Sequence, residues 1–154
     1  MIKRQSAGLL PFRKKYGGLQ VFLIHPGGPF WKKKDAGAWS IPKGELNEIE
    51  EPLAAAQREF FEETGKTVSG NFIALTPVKQ KSGKIIFAWA VENDFDAATI
   101  VSNTFEMEWP PRSGKFQTFQ EVDRGEWFTA AEARNKINEA QIALIDELEK
   151  KLIS

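Results

Sequence analysis

The chain has 154 residues, 42% of them hydrophobic, with twelve Phe and five Trp, which predicts one globular domain over 1–154 and leaves too little length for two ordinary ones. Lys plus Arg equals Asp plus Glu at 21 each, so no global field favours a long nucleic-acid backbone or an anionic membrane, whereas a small phosphorylated ligand needs only a local basic patch. With no cysteine and one histidine, disulfides, thiol nucleophiles, the usual structural zinc sites and multi-histidine metal sites are excluded.

The start, residues 1–8, is basic but has no long apolar run behind it, so no signal peptide or membrane span is visible and a soluble cytoplasmic protein is expected. Runs 6–12 and 19–25 are apolar and β-prone, and 13–18 between them reads as a hairpin or related turn. His25 closes the second run and is assigned a structural role. Residues 26–38, rich in Gly, Pro and Lys around Trp31, predict a loop that is either simply mobile or, from its position in the chain, a lid or substrate wall. Its glycines do not make a phosphate-binding P-loop, because the Gly-Lys-Ser/Thr ending is absent. Trp39-Ser40-Ile41-Pro42-Lys43-Gly44-Glu45 follows, with Lys43 placed to meet phosphate oxygens as a point charge or else simply solvated.

Residues 52–64 predict a helix. Pro52 suits a first helical position, where its missing N–H would have no partner, while Glu50 and Glu51 favour the positive end of the dipole. Gly65 offers a left-handed stop. Leu53, Ala56 and Phe60 form the apolar face, widened by Ala54 and Phe61, with Glu59, Glu62 and Glu63 expected on the other side. Like charges this close cost roughly 0.2–0.5 kcal/mol per pair. Solvent and Arg58 offset that repulsion, or a divalent cation does, since Mg²⁺ favours a few carboxylates together with substrate phosphates.

Further along, 71–80 and 84–92 read as strands around a turn at 81–83, the second continuously apolar and so suited to burial on both faces. Residues 105–109 alternate strictly, predicting a half-buried strand with Glu106 and Glu108 outward as secondary metal candidates. A loop is expected over 110–120, where Arg112 and Lys115 are available to phosphate. Residues 126–128 read as a short strand, 129–132 as a capping box opening a helix, and 138–152 as a final helix whose stripe is Gln141, Leu144, Ile145, Leu148 and Leu152.

The segment 44–65 resembles the signature box of the Nudix hydrolases, with Gly44, Glu50, Arg58, Glu59, Phe60, Glu62, Glu63 and Gly65 in register; Lys66 departs from the apolar residue usual after the last glycine. The resemblance implies a Nudix fold of α/β class, a mixed β-sheet sandwiched between helices, with the box as loop-helix-loop. It also implies Mg²⁺, with Mn²⁺ as an alternative, held by Glu59, Glu62, Glu63 and the Lys43 carbonyl. Glu59 is then a candidate base, Arg58 its orienting partner, and Gly44, Glu50 and Gly65 are structural. Glu121, just before Gly125-Glu126-Trp127, resembles in context the further glutamate that joins the metal site or supplies the general base in triphosphate-cleaving relatives; the alternative is a surface glutamate in a loop of mixed charge. Trp39 and Lys43 are the expected substrate contacts. The implied activity is pyrophosphohydrolysis of a small nucleotide. Asymmetrical cleavage of diadenosine tetraphosphate leads, because the Trp-x-x-Pro-Lys-Gly-Glu run resembles that branch, although the downstream tyrosine common there is missing and Tyr16 is the only tyrosine. A house-cleaning triphosphatase for 8-oxo-dGTP-like substrates, and a non-catalytic nucleotide-binding module on the same fold, are the alternatives. Long nucleic acid and membrane partners are not expected, and the oligomeric state stays open, a homodimer included.

Overall fold

Tyr16 and Gly17 both take left-handed backbone, φ 53° and 77°, and reverse the chain between β1 (Gln5–Lys15) and β2 (Gly18–Pro26). The computed structural model describes residues 4–153, so positions 1–3 of the basic start lie outside the described residues. β1 and β2 pair from Lys15↔Gly18 to Phe12↔Val21 and then part. The segment 40–45 enters the gap: Ser40 exchanges backbone hydrogen bonds with Ile24, Leu9 donates to the Pro42 carbonyl at 3.2 Å, and β3 (Lys43–Glu45) pairs with residues 6–8. Gly8 permits this approach, because a Cβ there would lie 2.5 Å from the Pro42 carbonyl oxygen.

After α1 (Pro52–Thr64) come β4 (Phe72–Ala74), β5 (Val78–Lys79) and β6 (Ile85–Glu92), then a hairpin of β7 (Thr104–Glu108) and β8 (Phe116–Gln120), and finally β9 (Val122–Thr129), α2 (Ala130–Lys136) and α3 (Ile142–Ile153). Seven strands form one mixed sheet in the order β4-β6-β1-β2-β9, with β3 also on β1 and β5 on β6. β6 runs parallel to β1, which requires a crossover, and that crossover carries α1.

Both sheet faces are covered, as the α/β expectation required. Alternation along β1 sends Leu10 and Phe12 into one core with Leu144, Ile145 and Leu148 of α3, and Ala7 and Leu9 into a second core with Ala55, Ala56 and Phe60 of α1. Each fully buried aliphatic side chain contributes roughly 1.5–3 kcal/mol relative to exposure. No helix among the described residues is long and apolar enough to cross a membrane.

Four local expectations change. The 71–80 strand is two fragments, because the Thr76 N–H leaves the ladder for Glu147 Oε1 at 2.7 Å and Pro77 has no N–H to return to it. The 110–120 loop contains β8, which pairs only with β7 in a separate two-stranded sheet. β9 begins at Val122 rather than 126, since its first half also pairs with β2. On α1, Ala54 and Phe61 face solvent while Ala55 is fully buried. The α3 stripe and the Thr129 capping box are as expected, with a 3-10 turn, Glu139–Gln141, leading into the helix.

Candidate active site

At 100° per residue, Glu63 lies about 20° round the helix from Ala56 and Glu59 about 60°, so both carboxylates sit beside the buried stripe, and only Glu62 swings well clear of it. The expectation that all three project away from the apolar face is therefore corrected. β3 makes the arrangement tolerable by bringing polar backbone against α1. Gly44 packs directly on the Glu59 carboxylate, where a Cβ would lie 2.0 Å from its Oε2, and the Lys43 N–H donates to Glu63 Oε1 at 3.1 Å. Arg58 spends its donors on the same neighbourhood. It grips Glu50 bidentately at 2.7 and 2.8 Å, and donates to Glu59 at 2.8 Å, Glu62 at 3.1 Å and the Glu45 carbonyl at 3.2 Å.

Glu121 reaches this cluster through the end of α1. A helix leaves its last carbonyls without intrahelical partners. Here Val101 N–H satisfies Thr64, Asn103 N–H satisfies Glu62, and the Asn103 carbonyl in turn accepts the Glu121 N–H, each at 2.8 Å. From the other side the Gly27 N–H donates to the Glu121 carbonyl at 2.8 Å. Gly65, at φ 72°, ends α1 and turns the chain, its N–H on the Phe61 carbonyl.

Burial, with the charges of neighbouring acids behind it, raises the pKa of three of these carboxyls. Burial, only partly countered by Lys43, pushes the Glu63 carboxyl up to about 8. Burial also raises Glu59 against the pull of Arg58, and burial followed by the charge of Glu62 raises Glu121. Burial holds the Lys43 ammonium below its ordinary range, opposed by Glu63 and reinforced by Lys84.

Among the described residues no three acidic or histidine side chains converge closely enough to hold a metal ion. Glu59 and Glu62 are turned onto Arg58, and Glu63 onto the Lys43 amide. The donor set nevertheless fits a hard divalent cation. It offers the carboxylates of Glu59, Glu62, Glu63 and Glu121, plus the Lys43 carbonyl, which strand alternation puts on the same side as the Glu45 carbonyl facing Arg58. The mutual repulsion of these acids is what a dication would relieve.

Trp39 does not face a ligand. It is 1% exposed, its ring packs edge-on to His25 and Phe128, and its Nε1 donates to Asp35 at 2.7 Å, so the substrate contact expected of it gives way to a core role. Glu106 is exposed on β7, and Glu108 accepts the Arg112 and Gly114 N–H groups, closing the hairpin turn; neither joins the cluster, and Arg112 and Lys115 lie on that turn. His25 is fully buried, its Nδ1 2.9 Å from Asp123 and its Nε2 2.6 Å from the Lys34 carbonyl, a structural clamp. Sequence reasoning missed Asn103 and Gly27, which act through backbone atoms that any residue type presents. It also missed Lys84, whose Nζ is 3.5 Å from Glu45 beside Lys43; a lysine opening a strand that flanks β1 was the available hint.

A family model described as the NUDIX domain matches residues 2–148. An RNA pyrophosphohydrolase from Bartonella henselae is 38% identical over 66 residues, 40% of this chain and 35% of that protein, so the match spans about a third of that relative. An Ap4A hydrolase structure from C. elegans superposes with a TM-score of 0.66 at 20% identity, covering 97% of this chain and 98% of the other. The NUDIX domain of Shewanella oneidensis NrtR, complexed with ADP ribose, superposes with a TM-score of 0.67 at 15% identity, covering 99% and 90%. The fold is thus shared at low identity, and a model match over nearly the whole chain places this protein in the Nudix family.

Proposed function

We propose that the chain is a divalent-metal-dependent pyrophosphohydrolase of nucleoside polyphosphates, with dinucleoside polyphosphates such as diadenosine tetraphosphate as the leading substrates. The observation that carries the reading is the nearness of Glu59, Glu62, Glu63 and Glu121, whose charges act on one another, with the Lys43–Gly44 backbone set against Glu63 and Glu59. Water attacks phosphorus, the anhydride P–O bond breaks, and a carboxylate takes the water's proton, a role assigned to Glu59 or Glu121. Arg58 keeps Glu59 and Glu62 in place. Lys43 sets a positive charge beside the leaving phosphate. A bound Mg²⁺ or Mn²⁺ would neutralise phosphate charge and lower the pKa of a coordinated water.

A panel run in isotopically labelled water, with products identified, tests both chemistry and substrate. The panel holds diadenosine tetraphosphate, 8-oxo-dGTP and a 5′-triphosphorylated RNA, the last because of the segment shared with the RNA pyrophosphohydrolase. Label is expected in one phosphate product, and Glu62→Gln or Glu63→Gln should lower kcat by roughly 10²-fold or more. Full turnover in both variants would defeat the site assignment.

A further inference from the structure

A groove of about 780 Å³ lies between the segment from Gly28 to Lys34 and the β7–β8 hairpin, within the size range of small-ligand sites. Lys32 and Lys33 line one wall, and Gln117 and Phe119 the other. Phe30 and Trp109 meet edge to face inside it, ring centroids 5.5 Å apart, and Phe30 is 58% exposed. The exposed Phe30 ring and the Lys32 and Lys33 ammonium groups together offer an apolar face and positive charge on one groove. Among the described residues, neither Lys32 nor Lys33 has a hydrogen-bond or ion-pair partner, whereas the Lys34 ammonium rests over Trp31 at 5.0 Å.

The lysine wall is built, not loose. The Lys34 carbonyl is held by His25 Nε2 at 2.6 Å and the Lys34 N–H by the Trp31 carbonyl at 3.0 Å, while Asp35 is tied to Trp39 Nε1 and to the Lys136 ammonium. The one carboxylate lining the groove, Asp123, is engaged by His25 at 2.9 Å and lies 4.0 Å from Arg124. Gln120, which lines the groove, is the residue before Glu121, and the Gly27 N–H donates to the Glu121 carbonyl, so groove and acidic cluster share this backbone.

We propose that this groove is a nucleotide-binding subsite in which Phe30 and Trp109 receive a planar base while Lys32 and Lys33 receive phosphate oxygens, the polyphosphate chain running inward past Gln120 to the hydrolytic carboxylates. It rests on the pyrophosphohydrolase reading for its orientation but not for its existence. Base–aromatic contact tolerates any base, because each presents a π-face, and the lysines act as point charges that accept a flexible chain. The subsite therefore selects for phosphate length more than for base identity.

Calorimetric titration with α,β-methylene-ATP and with AMP, in Mg²⁺, tests it. Lys32→Ala/Lys33→Ala should weaken α,β-methylene-ATP by roughly tenfold and AMP by less, with a shallower salt dependence than wild type. Phe30→Ala should weaken both ligands, and Lys14→Ala/Lys15→Ala, on the far end of β1, should weaken neither. Wild-type affinity in the groove variants, equal losses in the Lys14/Lys15 control, or no binding by the wild-type protein would each overturn the subsite. Circular dichroism of each variant checks that it is folded. Nucleotide binding lost as predicted, with no turnover of any substrate on the panel, would remove the hydrolase reading and leave the subsite standing. Turnover by the wild type with unaffected binding in the groove variants would do the reverse.

Discussion

Glu63 shows how position on a helix turns an ordinary acid into a titrating group near neutrality. Its place beside Ala56 and Phe60 takes its carboxyl out of water, and its value rises from 4.5 to about 8. The folded protein therefore keeps a proton that the unfolded chain releases between these limits. That contribution to stability is complete below pH 4.5 and is lost as pH climbs through about 8. Asp35, Glu50 and Asp94, lowered chiefly by Lys136, Arg58 and Arg13, act at more acid pH and leave this window to the cluster. In EDTA, the melting temperature should fall from pH 5 to pH 8, roughly the span in which linkage operates, and Glu63→Gln should flatten that fall. An equally steep profile in the variant would assign the dependence to another group. Glu63's identity as an acid in the box was legible in the sequence. Its burial was not, because the face of a helix that is covered depends on what packs there, here β3.

The helices were the most readable elements, since their signals are local. Pro52 and Gly65 bracket α1, and Thr129 and Glu132 form a reciprocal capping box at the start of α2. Removing the cap hydroxyl with Thr129→Ala should cost about 1 kcal/mol, lowering the melting temperature by roughly 2–4 °C, while leaving hydrolysis intact because α2 lies on the sheet face away from α1. Thermal unfolding followed by circular dichroism checks the first part and the substrate panel the second. The β7–β8 hairpin was less readable. Only β7 alternates in character, and β8 is held by its partner strand instead of by a core. That hairpin forms one wall of the proposed subsite, which was therefore less legible than the box helix.

At the scale of the whole molecule, the site exists because segments far apart in sequence are pinned together by backbone atoms. Gly27 and Glu121 share a hydrogen bond, Asn103 bridges Glu62 to Glu121, and a Cβ on Gly27 would fall 1.9 Å from the Gln120 carbonyl oxygen. Gly27→Ala must push the 120–121 segment away. The expected result is a loss of roughly 1–3 kcal/mol of stability with a fall in kcat larger than the rise in KM; unchanged kinetics would show that the placement of Glu121 is not critical. By itself the sequence determined the box, its helix limits, the hairpin turn, the continuously apolar strand and the chemical character of the donors; that strand is buried on one face and half-buried on the other. These follow from spacing, backbone preference and charge within a few residues. Only the tertiary structure decided that Glu121 joins the cluster, that Trp39 is core and not contact, that Glu59 and Glu63 are half-buried, and that Lys32 and Lys33 face an aromatic groove. Each of those outcomes depends on which backbones meet across the sheet, and a backbone N–H or carbonyl carries no mark in the amino-acid sequence of the partner it will find.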